Sequence, residues 1–214
     1  MEVLWMGHSC FVLRTQGVAL ATDPFAPSLG WSLSPLEVRI VTSSHDHPHH
    51  RWLQACPGAK ALVGPGEYEV AGVYIRGYKT PLSKKAGPSG RNTVFVIEAE
   101  GLTIAHLGDL GAVPASRLVE DIGGVHILLL PVGGVCTISP REAVETARLL
   151  GARLVIPMHY SLPGIAVSLQ SLEPFLKEMG ISAPAPSARL LVSRSSLPNE
   201  LQVIAMAPRA GPGA

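Results

Sequence analysis

The stretch Ser43-Ser44-His45-Asp46-His47-Pro48-His49-His50 follows directly on an apolar run at Val38–Thr42 that predicts a short strand. Four of the eight histidines of the chain fall within it. At the end of an extended strand, residues two apart point to the same side, so His45 and His47 can bind one cation together. His50 follows across a turn and approaches from another direction. The stretch therefore predicts a metal site, and the alternative is an accidental or merely metal-scavenging surface cluster.

Two further candidate ligands follow other predicted strands. Asp109 comes three residues after His106, which ends one apolar run, and His159 follows another at Leu154–Ile156. Ligands of layered α/β proteins gather beyond the strand ends, so these side chains could converge with the histidine cluster. Imidazole nitrogens with one carboxylate suit zinc, and iron or manganese less selectively. Taken alone, Asp109 would be a turn residue and His159 a structural histidine, so both assignments depend on the cluster.

The rest of the pattern alternates strands with short helices. Glu100-Gly101 predicts a hairpin over residues 93–106. Ser139-Pro140-Arg141-Glu142 combines the spacing of a capping box with a proline suited to the first helical turn. Pro48 likewise favours a helix over residues 49–55. Strands followed by strand–helix alternation fit an α/β fold with two mixed sheets covered by helices.

Composition and charge exclude several classes of function. The 214 residues carry a formal net charge of +1 and are 47% hydrophobic, which predicts one globular domain at residues 1–206 and a disordered tail at 207–214. A nearly neutral chain with few aromatic residues lacks the footprint of a nucleic-acid-binding protein. No apolar run reaches the roughly 20 residues that span a bilayer. Three widely spaced cysteines and a start unlike a signal peptide predict a cytoplasmic location.

Six short segments occur in the order seen in the metallo-β-lactamase superfamily. They are Gly7-His8-Ser9, Asp23-Pro24-Phe25, the histidine cluster, His106-Leu107-Gly108-Asp109-Leu110, Pro131-Val132-Gly133-Gly134 and Pro157-Met158-His159-Tyr160. The chain resembles this superfamily over nearly its whole length, and most closely the branch of Zn-dependent hydrolases that includes the ascorbate-6-phosphate lactonases. The resemblance implies a four-layer αββα sandwich, in which two mixed β-sheets are flanked by helices and the metals lie at one sheet edge.

The superfamily's metal motif, His-x-His-x-Asp-His, also implies a role for each candidate ligand. One or two zinc ions are expected, with manganese or iron as alternatives. Asp23 would orient one of the ligand histidines from behind. The implied ligands are His45 and His47 on the first metal, His50 and His159 on the second, and Asp109 bridging both.

The sequence departs from that motif in two places. His49 stands where the motif has the aspartate of the second metal, and we expect it to replace that aspartate as a neutral ligand. The superfamily also has a further histidine ligand before the Gly-Asp motif, but residues 51–105 contain no histidine. Both departures weaken the expected metal centre, and they bear on whether the protein is active.

The resemblance implies metal-dependent hydrolysis of a small ester, lactone or phosphodiester by metal-activated water, with Asp109 and His49 as the catalytic residues. The sequence contains neither a Gly-x-Ser-x-Gly nucleophile motif nor a phosphate-binding loop. The alternative is a degenerate, catalytically weak or inactive member that acts as a metal-binding or structural module. An RNA-processing nuclease is a weaker third possibility, since neither a basic groove nor extra domains are visible. We expect a small-molecule substrate, no nucleic-acid or membrane partner, and possible homo-oligomers.

Overall fold

The computed structural model describes residues 1–82 and 90–212, and its body consists of two mixed β-sheets. The six strands of the first sheet are β1 (Glu2–Gly7), β2 (Cys10–Arg14), β3 (Ala19–Thr22), β5 (Ile40–Ser43), β6 (Lys60–Val63) and β13 (Leu190–Leu191). Across the sheet their order is β13-β1-β2-β3-β5-β6. Strand β5 runs parallel to both β3 and β6, so these three strands end at the same sheet edge.

The second sheet has seven strands in the order β14-β12-β11-β10-β9-β8-β7. Strands β9 and β10 form the predicted hairpin, and the neighbours from β10 through β11 and β12 to β14 are parallel. Strand β8 ends at Pro81, and residues 83–89 lie outside the described part. The strands are β7 (Gly66–Val70), β8 (Val73–Pro81), β9 (Arg91–Ala99), β10 (Leu102–His106), β11 (Ile127–Pro131), β12 (Leu154–Met158) and β14 (Gln202–Val203).

The described α-helices all lie in the second half of the chain: α1 (Ser116–Ile122), α2 (Pro140–Leu149) and α3 (Glu173–Met179). The predicted capping box is present at the start of α2. The Ser139 hydroxyl accepts a hydrogen bond from the Glu142 amide, and the Glu142 carboxylate accepts one from the Ser139 amide. These two bonds satisfy amides that the first turn of a helix otherwise leaves without partners.

The helix predicted over residues 49–55 is wrong, since only a 3-10 turn at Leu53–Ala55 forms there. Hydrogen bonds to the loop after β3 take the place of helical bonds. The Ala26 amide donates to the carbonyl of Pro48 at 2.9 Å, and the Trp52 amide donates to the carbonyl of Pro24 at 2.8 Å. The histidine cluster is therefore anchored to the neighbouring loop as a series of turns.

Both faces of the first sheet are buried. Val3 and Trp5 of β1 belong to the core shared with the second sheet, whereas Leu4 between them belongs to a separate cluster on the opposite face. Phe11 and Val12 of β2 divide in the same way. Successive side chains of a strand point to opposite faces, so a strand covered on both sides requires a continuous apolar run. This sandwich agrees with the predicted α/β architecture.

Residues 207–212 are paired, in contrast to the predicted disordered tail. The Arg209 amide donates to the carbonyl of Trp5 at 2.9 Å. Strand β15 (Gly211–Pro212) then pairs antiparallel with β4 (Trp31–Ser32). These long-range backbone partners give the segment an order that its Pro- and Gly-rich sequence does not indicate.

None of the helices in the described part of the chain has the length and apolar character needed to cross a bilayer.

Candidate metal centre

Two parallel strands of the first sheet bring Asp23 next to the histidine cluster. Strands β3 and β5 end at Thr22 and Ser43, so Asp23 and Ser44 lie side by side at one sheet edge. Oδ1 of Asp23 accepts a hydrogen bond from the Ser44 amide at 2.8 Å, and Oδ2 accepts one from the Ser44 hydroxyl. Oδ2 also lies 3.0 Å from Nδ1 of His50. The carboxylate therefore fixes the His50 ring through Nδ1 and leaves Nε2 for a ligand, as the prediction for Asp23 requires.

The second sheet places Asp109 and His159 beyond the same edge, because β10, β11 and β12 are parallel. Gly108 makes the turn before Asp109 with a φ of 56°, and a Cβ there would collide with Asn92 and Ser44. The side-chain oxygen of Asn92 accepts a hydrogen bond from the Asp109 amide at 3.0 Å. The glycine thus allows the two sheets to approach closely enough for Asp109 to face the cluster.

The two oxygens of Asp109 face different histidines. Oδ1 lies 3.1 Å from Nε2 of His159 and 3.5 Å from Nε2 of His50, whereas Oδ2 lies 3.9 Å from Nε2 of His45. Ligand nitrogens of His45, His47 and His50 also lie within 4.8 Å of one another. The expected convergence of these five side chains is therefore present, and the carboxylate has the placement of a bridge between two positions.

His49 stands apart from these ligands. It belongs to none of the metal-ligand groups formed by the described residues, and its Nε2 lies 3.2 Å from the hydroxyl of Ser28. Its ring meets that of His47 edge to face, with centroids 4.8 Å apart. His49 lines the cavity wall, so its expected roles as a metal ligand and a catalytic residue stay predictions with less geometric support than the other five.

His106 has a structural position, bonded away from the cavity. Its Nε2 donates to the carbonyl of Ser9 at 2.8 Å, and its Nδ1 accepts a hydrogen bond from the Gly108 amide at 3.2 Å. The ring is fully buried within the fold. Both nitrogens are therefore satisfied away from the cavity.

Sequence reasoning missed two residues of the site, His8 and Cys136. His8 follows β1, is 1% exposed, and places its Nε2 3.2 Å from Nε2 of His50. The sulfur of Cys136 lies within 4.8 Å of ligand atoms of Asp109 and His159. His8 directly follows β1, as His159 follows β12, whereas Cys136 comes five residues after the end of β11. A lone histidine or cysteine in such a place gives no local indication of its function.

Burial and mutual repulsion keep most of these imidazoles neutral. Burial and the neighbouring His50 lower the pKa of His45 to about 4, and burial with the neighbouring His47 lowers the pKa of His49 to about 4. His50 behaves differently: burial opposes its protonation, but the carboxylates of Asp109 and Asp23 raise its pKa above the ordinary value. Burial opposes ionisation of Asp109, but the surrounding histidines hold its pKa well below the usual range. The site therefore presents a carboxylate and mostly neutral imidazoles at pH 7, which is the protonation state that metals require.

These side chains line a cavity of about 360 Å³, whose wall also includes Leu82 and Val167. Oδ1 of Asp109 is buried and lies 3.1 Å from Nε2 of His159. A cation between this oxygen and the imidazole nitrogens would lower the cost of burying its negative charge. The donor set of imidazoles and one carboxylate therefore fits zinc, manganese or iron.

Zinc binding at pH 6 is expected to release close to one proton per chain, because His50 is protonated below its raised pKa and must lose the Nε2 proton to bind. The release should fall as the pH rises through the pKa of His50. Titration calorimetry in buffers of different ionisation enthalpy measures it. Asp23→Asn is the control: it removes one of the charges that raise the pKa of His50, so less proton release is expected at pH 6. A wild-type protein that releases no proton at pH 6 would contradict the prediction.

A sandwich of two mixed sheets with a histidine–aspartate cluster at one edge has the arrangement of an α/β metalloprotein. A family model of the β-lactamase superfamily domain matches residues 2–159. A metal-dependent hydrolase from Methanoculleus marisnigri is 32% identical over 202 residues, covering 81% of this chain and 87% of the relative. A second metal-dependent hydrolase, from Pyrobaculum neutrophilum, is 30% identical over 195 residues, covering 75% of this chain and 84% of the relative. A crystal structure from Thermotoga maritima is described as that of a candidate Zn-dependent hydrolase. It is 37% identical with a TM-score of 0.77, and the match covers 96% of this chain and 97% of that one.

The chain belongs to the metallo-β-lactamase superfamily. This membership confirms the predicted superfamily and the predicted fold. It also confirms the enzyme class at its broadest level, a metal-dependent hydrolase.

Proposed function

We propose that the protein hydrolyses a small ester, lactone or phosphodiester at the cavity formed by the histidine cluster, Asp109 and His159. The observation that carries the proposal is the arrangement around Asp109, whose two carboxylate oxygens face separate sets of imidazole nitrogens. Zinc is the proposed metal, and manganese and iron are the alternatives. When bound, such a metal lowers the pKa of a water molecule toward about 7 and polarises the bond under attack.

The protein side chains prepare this chemistry before substrate arrives. Asp23 fixes His50 through its Nδ1, and Asn92 fixes the backbone of Asp109. Asp109 stays ionised across neutral pH, so it can neutralise positive charge and accept a hydrogen bond from the attacking water. Leu82 and Val167 give the cavity an apolar side that can hold the hydrocarbon part of a small substrate and exclude bulk water.

The proposal predicts metal-dependent turnover of simple substrates. The purified protein should hydrolyse at least one of p-nitrophenyl acetate, a γ-lactone and bis-p-nitrophenyl phosphate. Activity should disappear after chelation and return with zinc, manganese or iron, because the proposed attacking water needs a bound metal to lower its pKa toward about 7. Turnover that survives complete chelation would contradict the proposal.

A non-catalytic metal-binding module is the second candidate, favoured by one observation. The cavity wall includes Leu82 near the place where the superfamily has its further histidine, so the position beside His45 and His47 has fewer protein ligands than usual. The same assays separate the two functions. Tight metal binding without turnover of any of these substrates would favour the module.

A further inference from the structure

His8 lines the same cavity as the motif histidines but has no role in the ligand set carried over from the superfamily. Its Nε2 lies 3.2 Å from Nε2 of His50, and ligand nitrogens of His8, His50 and His159 lie within 4.8 Å of one another. Asp109 adjoins the same group, with Oδ1 3.5 Å from His50 and 3.1 Å from His159. Asp109 is therefore a possible fourth ligand beside the three imidazoles, through its contacts with His50 and His159.

The separations between these atoms match a tetrahedral metal site. Metal–ligand bonds of about 2.0–2.1 Å imply tetrahedron edges of roughly 3.3 Å. The three measured edges are 3.2 Å between His8 and His50, 3.5 Å between His50 and Asp109, and 3.1 Å between His159 and Asp109. These three separations correspond to three of the six edges of such a tetrahedron.

The backbone at His8 provides a second, independent observation. His8, Asp23 and His159 all adopt positive φ angles, of 51°, 38° and 53°. Non-glycine residues rarely adopt this conformation, which costs on the order of 1–3 kcal/mol and is concentrated at functional sites. His8 thus shares this unfavourable conformation with a predicted ligand and with the residue that orients His50.

Hydrogen bonds to the backbone hold His8 in that conformation. Its carbonyl accepts one from the indole of Trp5 and one from the amide of His159, both at 3.1 Å. Its Nδ1 is buried and makes no hydrogen bond with a described residue. The main chain of His8, which is hydrogen-bonded to that of His159, therefore sets the direction of the ring. Nε2 is the nitrogen that faces the other potential ligands.

We propose that His8 is a metal ligand that completes a closed tetrahedral set with His50, His159 and Asp109. This set replaces the carboxylate that residue 49 no longer supplies, and it holds one ion more tightly than the position beside His45 and His47. The latter, with fewer protein ligands, keeps a coordination place open for water and substrate. The inference rests on the proposed metal-dependent function, and it assigns the tighter of the two positions.

Removing His8 should weaken the tight site without unfolding the protein. The variant is His8→Asn, because asparagine tolerates a positive φ. Zinc affinity, measured by competition with a chromophoric chelator, should fall about a hundredfold on loss of one of four ligands. The rise in Tm that zinc produces in the wild type should shrink accordingly, while the Tm of the metal-free protein stays close to that of the wild type. His106→Asn is the matched control, as a buried histidine bonded away from the cavity, and should keep wild-type affinity.

The outcomes separate the inference from the proposed function. A wild-type protein that binds no zinc, manganese or iron would overturn both. A His8→Asn variant with wild-type zinc affinity would overturn only the inference. The same holds if the metal-free variant has a lower Tm but zinc raises its Tm as much as it raises that of the wild type.

Zinc-loaded wild-type crystals provide a test that does not depend on any variant folding. The anomalous difference map should show a peak about 2.0–2.2 Å from Nε2 of His8, His50 and His159. If every peak lies farther than about 3 Å from His8, the inference is wrong.

Discussion

Replacing Asp109 with alanine is expected to abolish tight metal binding and, with it, hydrolysis. Among the residues that the structure describes, Asp109 is the only carboxylate whose oxygens face the imidazole nitrogens on both sides of the cavity, at 3.1, 3.5 and 3.9 Å. Under the proposed function, its removal would delete one ligand from each proposed metal position and the negative charge that would offset the cations. We expect zinc affinity to fall at least about a thousandfold, which corresponds to roughly 4 kcal/mol. Activity at subsaturating zinc should fall by at least as much.

His106→Ala is the comparison for this variant. His106 precedes Asp109 by three residues and is fully buried, but its two nitrogens bond to Ser9 and Gly108 rather than facing the cavity. Its removal should lower the thermal stability of the protein and leave most of the zinc affinity in place. The two variants are compared by metal content after dialysis and by zinc titration. Equal losses, or a greater loss in the His106 variant, would show that Asp109 does not have the central role.

The convergence of the site could be predicted because it depends on strand direction. Asp109 follows β10 and His159 follows β12, and both strands run parallel to β11 between them in the second sheet. The histidine cluster follows β5, which runs parallel to β3 in the first sheet. Short apolar runs ended by polar side chains are visible in sequence, and side chains beyond the ends of parallel strands meet at one edge. The capping box before α2 was predictable for a similar reason, since its bonds join residues three apart.

Features that depend on long-range backbone contacts could not be predicted. The turn at residues 47–50 is held by hydrogen bonds to residues 24–26, which sequence spacing does not reveal, so a helix was expected there instead. His8 was missed because a lone histidine after a strand carries no local signal of its function, and its positive φ is set by contacts with Trp5 and His159. The pairing of Gly211–Pro212 with β4 also joins distant segments.

Residue 49 is where the chain departs from the superfamily motif, and its charge should matter more than its shape. His49 has a pKa of about 4, lowered by burial and by His47 and His50, so it is neutral at pH 7. The aspartate of the motif would add one negative charge at this place. Because His47 and His50 affect the pKa of His49, a charge at residue 49 would in turn act on those two histidines.

His49→Asp is therefore expected to tighten zinc binding and to change substrate preference. Two unit charges about 4 Å apart attract by about 4 kcal/mol at an effective dielectric constant near 20, and partial exposure of residue 49 reduces this gain. We expect zinc affinity at the position of His50 and His159 to rise about tenfold to a hundredfold. The less positive site should also raise KM for bis-p-nitrophenyl phosphate more than KM for the neutral p-nitrophenyl acetate. His49→Asn has nearly the same shape without the charge, and both variants lose the contact with Ser28, so the difference between them isolates the electrostatic effect. If the two variants bind zinc equally well and share one substrate preference, the charge at residue 49 has no part in the metal centre.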